Sequence, residues 1–305
     1  MRNPASTFSY YEDSRDPSGT QSSDNQIIYS RLRKVDRKVV NKGISIKYVI
    51  EGEESYRVNH QSYKVKSGEY LIINEGREVQ CSLESDHPVE GLWIHLSKDL
   101  IEEVYREIKS SLPDSKGIRL LDPAGKLELC EHVFTAQDSF LGKQLEALGE
   151  STRQHPHQPV REVNQVARNL AEGLVRSQWR VYQQINRLTS AKLSTKKELY
   201  RRLCIARTYI HNHLSEPLDL DTLSQVACLS KYHFIRLFKE VFSQTPRQYL
   251  IKKRLEAASK LLLNSSKSFH EICLEVGLKD SSSFGRLFKR SYGATPHIYR
   301  RMNAG

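Results

Sequence analysis

Arg236 and Arg286 occupy matching positions in a sequence motif that occurs twice, 50 residues apart. The stretches HFIRLFKEVFSQTPRQYL (233–250) and SFGRLFKRSYGATPHIYR (283–300) share Phe, Arg-Leu-Phe-Lys, Thr-Pro and Tyr. A guanidinium group donates two hydrogen bonds to O6 and N7 of guanine, so an exposed arginine that recurs in this way is suited to reading base pairs. The cations that follow in each copy are better suited to phosphates, whose contacts add affinity without selecting a sequence. These cations are Lys239, Lys289 and Arg290.

The residues around Arg236 predict a helix-turn-helix. Asp219 or Asp221 can cap a short helix, Cys228 and Leu229 form a turn, and Ser230 caps the next helix. The second helix has apolar residues at i, i+3, i+4 and i+7, which predicts one buried face. These are Phe234, Leu237, Phe238 and Val241. The outward positions are Lys231, Tyr232, His233, Ile235, Arg236 and Lys239.

The second copy predicts the same unit with a turn one residue longer. Ile272 and Val276 face inward, and Gly277 supplies a left-handed turn residue. The buried positions of the second helix are Phe284, Leu287 and Phe288, and its outward positions are Ser281, Ser282, Ser283, Gly285, Arg286 and Lys289. Between the copies, an amphipathic linker helix turns Leu250, Leu255, Ala258 and Leu262 inward. A generic helical bundle would explain the repeated Phe and Leu, but not an arginine that recurs on the exposed side.

The positive charge of the chain lies in the same region. The 305 residues hold 47 Lys and Arg against 36 Asp and Glu, a net charge of +11. From Ser194 to Gly305 there are 20 basic and 9 acidic residues, so this segment carries the whole excess. A basic domain beside a neutral one indicates that the basic domain binds a polyanion, although a basic surface that only aids solubility is the alternative.

The motif RLFK-x5-TP-x2-Y, present twice in about 100 residues, resembles the AraC/XylS-type transcription regulators over residues 196–303. The resemblance implies two helix-turn-helix subdomains that read successive major grooves about 34 Å apart. It implies base-reading roles for Tyr232, Ile235 and Arg236, with Lys231 and His233 nearby, and for Ser282, Ser283 and Arg286, with Ser281 and Gly285 nearby. Two positions depart from the pattern: Cys228 stands where the family usually has Gly, and Ser243 stands where the second copy has Gly293.

Residues 26–125 alternate with period two and are broken by short turn signals, which predicts an antiparallel β-barrel or jelly roll. In ISIKYVIE (44–51) the residues Ile44, Ile46 and Tyr48 alternate with polar neighbours. The segment resembles the cupin-like sensor domain that often precedes this DNA-binding module. Four aromatic residues are candidates to line an effector site inside the barrel, or else they form its packed core. They are Tyr48, Tyr56, Tyr63 and Trp93.

The same segment lacks the ligand set of a catalytic cupin, which holds a metal with a His-x-His pair, a Glu and a later His. His60 stands alone in a predicted turn, and Gln80 lies near the place where a histidine would be needed. We therefore expect no metal, no cofactor and no catalytic residue. The alternative function is a cupin-type metalloenzyme with an accessory nucleic-acid-binding module.

The predicted fold class is α+β and multidomain. We expect a disordered tail over residues 1–25, the sensor barrel over 26–125, a helical linker and dimerisation region over 126–193, and the double helix-turn-helix domain over 194–305. In the linker region the pattern predicts helices over 126–150 and 159–188. The second of these has an apolar stripe from Val163 to Leu188, which either packs on its own barrel or meets the same stripe of a second copy.

These features predict a regulator of transcription that binds double-stranded DNA, with a lean toward activation that comes from the resemblance. The expected partners are a promoter or operator, a small-molecule effector and a second copy of the chain, with RNA polymerase as a further candidate. An architectural protein without a ligand is the other alternative. Five scattered cysteines, no apolar run of membrane-spanning length and no secretory signal predict a cytoplasmic protein with reduced thiols.

Overall fold

The computed structural model describes residues 6–12, 25–111, 127–156, 162–189, 192–278 and 280–303. The chain divides into two compact units, Met1–Asn186 and Arg187–Gly305. The first contains a β-sheet with helices and the second is helical, so the α+β class predicted from the sequence is confirmed. No helix within the described residues has the length and apolar character needed to cross a lipid bilayer.

The described part of the first unit has one eight-stranded sheet, here called the sheet domain. Its strands are β1 (Thr7–Glu12), β2 (Gln26–Val40), β3 (Ile44–Glu51), β4 (Glu53–Val58), β5 (Gln61–Lys66), β6 (Glu69–Ile73), β7 (Glu78–Leu96) and β8 (Val133–Thr135). The long strand β7 pairs antiparallel with β2 along most of its length. On its other side it pairs first with β4 and then with β3. The sheet has the strand order β1-β2-β7-β3-β6-β8, and seven of its strands contribute to one apolar core.

The N-terminal segment contains a strand, whereas the sequence predicts a disordered tail over residues 1–25. Strand β1 pairs in parallel with β2, and the rings of Tyr10 and Tyr29 stack at 5.6 Å. Arg31 of β2 also forms a 3.0 Å ion pair with Glu12. The prediction is wrong for residues 7–12 because a polar strand can be stabilised by ladder hydrogen bonds and by rings on its neighbour. The rest of the predicted tail up to residue 24 lies outside the described residues, apart from Ser6.

The helices of the first unit differ in part from the prediction. They are α1 (Lys98–Ile108), α2 (Phe140–Gln154) and α3 (Val163–Arg187), which ends at the boundary of the second unit. The helix predicted over 126–150 begins only at α2, where Ser139 accepts a hydrogen bond from the Gly142 amide at 2.8 Å. Strand β8 occupies part of the preceding stretch because Val133 and Phe134 pair with β6.

The apolar stripe of α3 is largely buried within the single chain. Leu170 and Leu174 are 2% and 0% exposed. Ser177 on the same helix accepts a hydrogen bond from the Leu141 amide of α2 at 3.3 Å. Of the two uses predicted for this stripe, the structure therefore shows packing inside its own chain, and a dimer would need another surface.

The second unit is formed by seven described helices, namely α4 (Leu193–Asn212), α5 (Leu220–Val226), α6 (Lys231–Phe242), α7 (Pro246–Asn264), α8 (Phe269–Glu275), α9 (Ser281–Tyr292) and α10 (Pro296–Asn303). The predicted linker helix is α7, and its residues Leu250, Leu255, Ala258 and Leu262 are all buried. The turn between α8 and α9 is one residue longer than that between α5 and α6, as predicted.

The repeated Thr-Pro-x2-Tyr segment starts the helix that follows each second helix of a pair. Thr245 caps α7 in a capping box with Gln248, and Pro246 is the first helical residue, where its missing N–H costs nothing. The tyrosine then packs on the repeated phenylalanine. The ring centroids of Phe238 and Tyr249 lie 5.7 Å apart, and those of Phe288 and Tyr299 lie 5.4 Å apart.

Candidate nucleic-acid interface and interior cavity

The first helix-turn-helix comprises α5 and α6. Asp219 caps α5 by accepting a hydrogen bond from the Thr222 amide at 2.7 Å. The chain then turns at Cys228, whose φ of +51° lies in the left-handed region. Ser230 is the N-cap residue of α6 by backbone position, but its side chain accepts no hydrogen bond from the helix, so the predicted side-chain cap is absent.

One face of α6 is buried and the other is open. Phe234, Leu237, Phe238 and Val241 are at most 2% exposed, as the apolar spacing predicts. On the open side, Tyr232 is 80% exposed, Arg236 and Lys239 are exposed, and His233 and Ile235 are half-buried. The remaining candidate, Lys231, is exposed but its Nζ lies 2.5 Å from Oδ1 of Asp221 on α5. This ion pair ties the start of α6 to the helix before it.

The second helix-turn-helix comprises α8 and α9. A capping box between Ser268 and Glu271 starts α8, and Gly277 turns the chain with a φ of +80°. Asp280 caps α9 by accepting hydrogen bonds from the amides of Ser282 and Ser283 at 3.0 and 3.2 Å. Hydrogen bonds from Ser283 hold the pKa of Asp280 below its ordinary value, so this carboxylate stays charged at the helix N-terminus.

The candidate base-reading residues of α9 are smaller than those of α6. Ser282 and Arg286 are exposed, as are Lys289 and Arg290, while Ser283 is half-buried. The side chain of Ser281 lies outside the described residues. Arg286 Nη2 donates a 3.2 Å hydrogen bond to Ser283 Oγ, which holds the guanidinium along the outer face of α9. Both repeated arginines are thus on the surface of the second unit, as the sequence predicts.

Three other arginines support this arrangement, and the alignment of the two copies gave no signal for them. Arg254 of α7 is 8% exposed and donates to the carbonyls of Leu214 and Glu216 at 2.9 and 2.6 Å. Arg300 of α10 likewise donates to the Leu262 carbonyl at 2.9 Å. Arg187 binds the C-terminal end of α6 through the Val241 carbonyl at 3.0 Å. Arg254 and Arg300 are 46 residues apart rather than 50, so an alignment of the two copies does not match them.

The sheet domain contains a partly open cavity of about 60 Å³ lined by strands β2, β3, β4 and β7. Of the four aromatic candidates, Tyr56 and Trp93 line it. Tyr63 packs on the edge of the apolar core. Tyr48 lies against α2, where a Cβ on Gly149 would come within 3.1 Å of its ring. The structure therefore brings two of the four candidates together.

Lys47 takes the inward position of β3 that the sequence analysis gave to Tyr48. Its Nζ lies 3.4 Å from the centroid of the Trp93 ring, and Cζ of Arg37 lies 5.2 Å from the same centroid. The pKa of Lys47 is lowered to about 7, mainly by burial and to a smaller extent by the Arg37 charge, against the opposing effect of Cys81 and Glu54. Glu54 accepts a hydrogen bond from the Tyr56 hydroxyl, and burial raises the pKa of its carboxyl group.

His95 is another polar residue in the interior of the sheet domain and lies on β7, two positions after Trp93. It is 2% exposed, and neither ring nitrogen has a hydrogen-bond partner. Burial, with a smaller effect of Lys47, lowers the pKa of His95 to about 4. Within the described ranges, no group of three or more His, Cys, Asp or Glu side chains is placed to hold a metal ion.

Comparison with known proteins gives two matches to family profiles. Residues 33–136 match an AraC-like ligand binding domain, and residues 223–302 match a helix-turn-helix domain. YisR of Bacillus subtilis, an uncharacterized HTH-type transcriptional regulator, is 25% identical over 84% of each chain. RafR of Pediococcus pentosaceus, a raffinose operon transcriptional regulatory protein, is 27% identical over 84% of each chain.

Other relatives match over about a third of this chain. The MmsAB operon regulatory protein of Pseudomonas aeruginosa is 36% identical over 93 residues, which are 30% of this chain and 30% of that protein. The chain thus spans less than half the length of the first relatives that it matches. The two profile matches cover the sheet domain and both helix-turn-helix units, in the order in which the structure presents them. The chain thus combines an AraC-like ligand binding domain with a helix-turn-helix domain, in the arrangement of the AraC/XylS family of transcription regulators.

Proposed function

We propose that the protein is a sequence-specific DNA-binding regulator of transcription whose two helix-turn-helix units each place one helix, α6 or α9, in the major groove. The observation that supports this most directly is the recurrence of Arg236 and Arg286. Both are exposed, on helices whose opposite faces bury the same phenylalanines. A structural role would not require an arginine at this exposed position in both copies, whereas base reading would.

The two helices would read different sequences. On α6, Tyr232 and Ile235 flank Arg236 and offer a large ring and a methyl-bearing side chain, which suits contact with a thymine methyl. On α9 the matching positions are Ser282 and Gly285, so the approach to the bases is open and polar. One helix contacts only a few base pairs, and two helices one turn of DNA apart would together select a longer site.

Selection of bound sites from random DNA with the purified full chain tests this proposal. We expect a consensus with two parts, and we expect Arg286→Ala to weaken binding by about 1–3 kcal/mol with relaxed preference at one base pair. Lys239→Ala serves as the matched control: it should weaken binding to all sequences alike and reduce the salt dependence by about one phosphate contact. No consensus, or an Arg286→Ala variant with unchanged base preference, would contradict the proposal.

The sheet domain would hold a small-molecule effector in the cavity beside Tyr56 and Trp93, and effector binding would shift the affinity for DNA. The regulator would act as a homodimer, which sedimentation of the purified chain tests. We further propose that it is an activator that contacts RNA polymerase and is not an enzyme. Transcription from a selected site in a purified system would fall rather than rise if the activator assignment were incorrect.

A further inference from the structure

The side chain of Lys47 is half-buried and lines the cavity of the sheet domain. Among the described residues its amino group has no hydrogen bond and no ion pair, and its Nζ lies 3.4 Å from the centroid of Trp93 and 5.8 Å from that of Tyr56. A cation over an aromatic ring gains part of the stabilisation that water would give. The N–H donors of the amine thus remain available to a ligand.

Two other charged groups lie near the amine. Glu54 attracts Lys47, and its carboxyl group also accepts a hydrogen bond from Tyr56, while burial raises its pKa. Arg37 approaches the same Trp93 ring, with its Cζ 5.2 Å from the centroid. A carboxylate that entered the cavity would be attracted by Lys47 and by Arg37.

The free space beside Lys47 is small and mostly apolar. Besides the cavity of about 60 Å³, a neighbouring one of about 30 Å³ shares four lining residues with it, namely Arg37, Lys47, Cys81 and Trp93. Ile28, Leu32 and Leu92 form an apolar wall of the larger cavity. A ligand that fits has one small charged end and a short apolar body.

We propose that the cavity binds a small organic carboxylate, with Lys47 as the partner of the carboxylate and Trp93 in contact with the apolar body. This inference rests on the proposed role of the sheet domain as the effector site and names the chemical class of its ligand. Inorganic phosphate offers the same charge but nothing to cover the apolar wall, so it fits less well.

The site also predicts how binding depends on pH. The ionisable groups that face Lys47 are Arg37 from β2, Glu54 and Tyr56 from β4, and Cys81 and His95 from β7. Because the free amine has a pKa of about 7, it is largely uncharged at pH 9, and a bound carboxylate would have to recruit a proton. Because only the charged amine pairs with a carboxylate, the affinity for carboxylates should fall by up to roughly 75-fold between pH 6.5 and pH 9.

A ligand-detected NMR titration of the full chain tests the proposal with acetate, propionate and butyrate, their neutral amides, and inorganic phosphate. At pH 6.5 we expect each carboxylate to bind at least tenfold more tightly than its amide. Lys47→Met should abolish this preference and its pH dependence. Lys42→Met, at an exposed lysine on the turn before β3, is the matched control and should retain both. Melting curves establish that both variants are folded.

Four results would overturn the inference: equal binding of amides, an unchanged carboxylate preference in Lys47→Met, phosphate binding as tight as butyrate, or no binding by any carboxylate. A DNA-binding titration with and without the best carboxylate separates this inference from the proposed function. Lys47-dependent carboxylate binding that leaves DNA affinity unchanged would support the ligand class while contradicting effector control. A change in DNA affinity caused only by the amides would support effector control while contradicting the ligand class.

Discussion

Replacing Gly277 by alanine should disrupt the second helix-turn-helix far more than the same change at Gly293. Both glycines have left-handed backbones, with φ of +80° and +74°. A Cβ on Gly277 would lie 2.5 Å from the Leu214 carbonyl oxygen and 2.7 Å from that of Ser215, whereas a Cβ on Gly293 would meet nothing within 4 Å. The pair therefore separates the cost of the backbone conformation from the cost of the steric overlap.

The magnitudes follow from these distances. A left-handed conformation costs a residue with a Cβ roughly 1–2 kcal/mol, and loss of glycine's freedom in the unfolded chain returns about 0.5–1 kcal/mol. We therefore expect Gly293→Ala to destabilise by about 1 kcal/mol. At Gly277 the overlap is with backbone atoms, which can be relieved only by moving the turn away from residues 214 and 215, at a further cost of about 1–3 kcal/mol.

Hydrogen exchange of the full chain, followed by mass spectrometry, measures the difference locally. Amides of α8 and α9 should lose protection by roughly 30- to 700-fold in Gly277→Ala, at about 1.4 kcal/mol per factor of ten, while α5 and α6 change much less. Sites selected from random DNA by this variant should keep only the part that α6 reads. If Gly277→Ala exchanged no faster than Gly293→Ala, the steric cost assigned to the carbonyls of Leu214 and Ser215 would be refuted.

Two further predictions concern buried or strained single residues. Cys228 adopts the left-handed conformation with φ of +51°, so Cys228→Gly should stabilise the first helix-turn-helix by about 0.5–1 kcal/mol, and faster exchange in α5 and α6 would contradict this. His95 has a folded-state pKa of about 4, below its unfolded value of about 6.5, so the unfolded chain takes up a proton first and stability should be lost as the pH falls from 6.5 to 4. His95→Leu should remove this part of the acid sensitivity in melting curves, and an unchanged pH profile would show that His95 does not cause it.

The helical half of the chain was predictable because each of its signals is local. Caps, turn residues and the i, i+3, i+4, i+7 spacing lie within a few residues of each other, and the second copy checks the first. The arginines that brace the helices were not predictable in this way. Arg254 donates a hydrogen bond to the backbone carbonyl of Leu214, 40 residues earlier. Every residue has such a carbonyl, so the sequence does not indicate which one is bound.

The sheet domain shows what a period-two pattern predicts and what it does not. Strand β3 was predicted from the alternation in ISIKYVIE, with the bounds that the structure has. The alternation did not reveal which face lines the cavity, because both faces of β3 are buried, one against α2 and one toward the interior. A lysine in such a pattern is normally taken as the solvent face. Lys47 breaks that rule, and positions that break a local rule are where a function is to be sought.

The helix predicted over residues 127–136 was wrong for a different reason. Its residues LELCEHVFTA have the spacing and propensity of a helix, yet Val133 and Phe134 complete the edge of the sheet beside β6. Phe134 also stacks on Tyr70 at 5.4 Å, which gives this short strand a partner that a helix at the same place would lack. Tertiary contacts outweighed local propensity, and those contacts join residues 64 positions apart.

The two helix-turn-helix units share their buried residues and differ at most of their exposed residues. Phe234 and Phe284 keep the same buried role, and the turns at Cys228 and Gly277 keep the same left-handed backbone with different residues. On the outer faces, Tyr232 and Ser282 share neither size nor chemistry. If the duplication served stability alone, the exposed arginine would have been as free to change as its neighbours. Its presence in both copies, beside neighbours that differ, supports the proposal that the two helices read different base sequences.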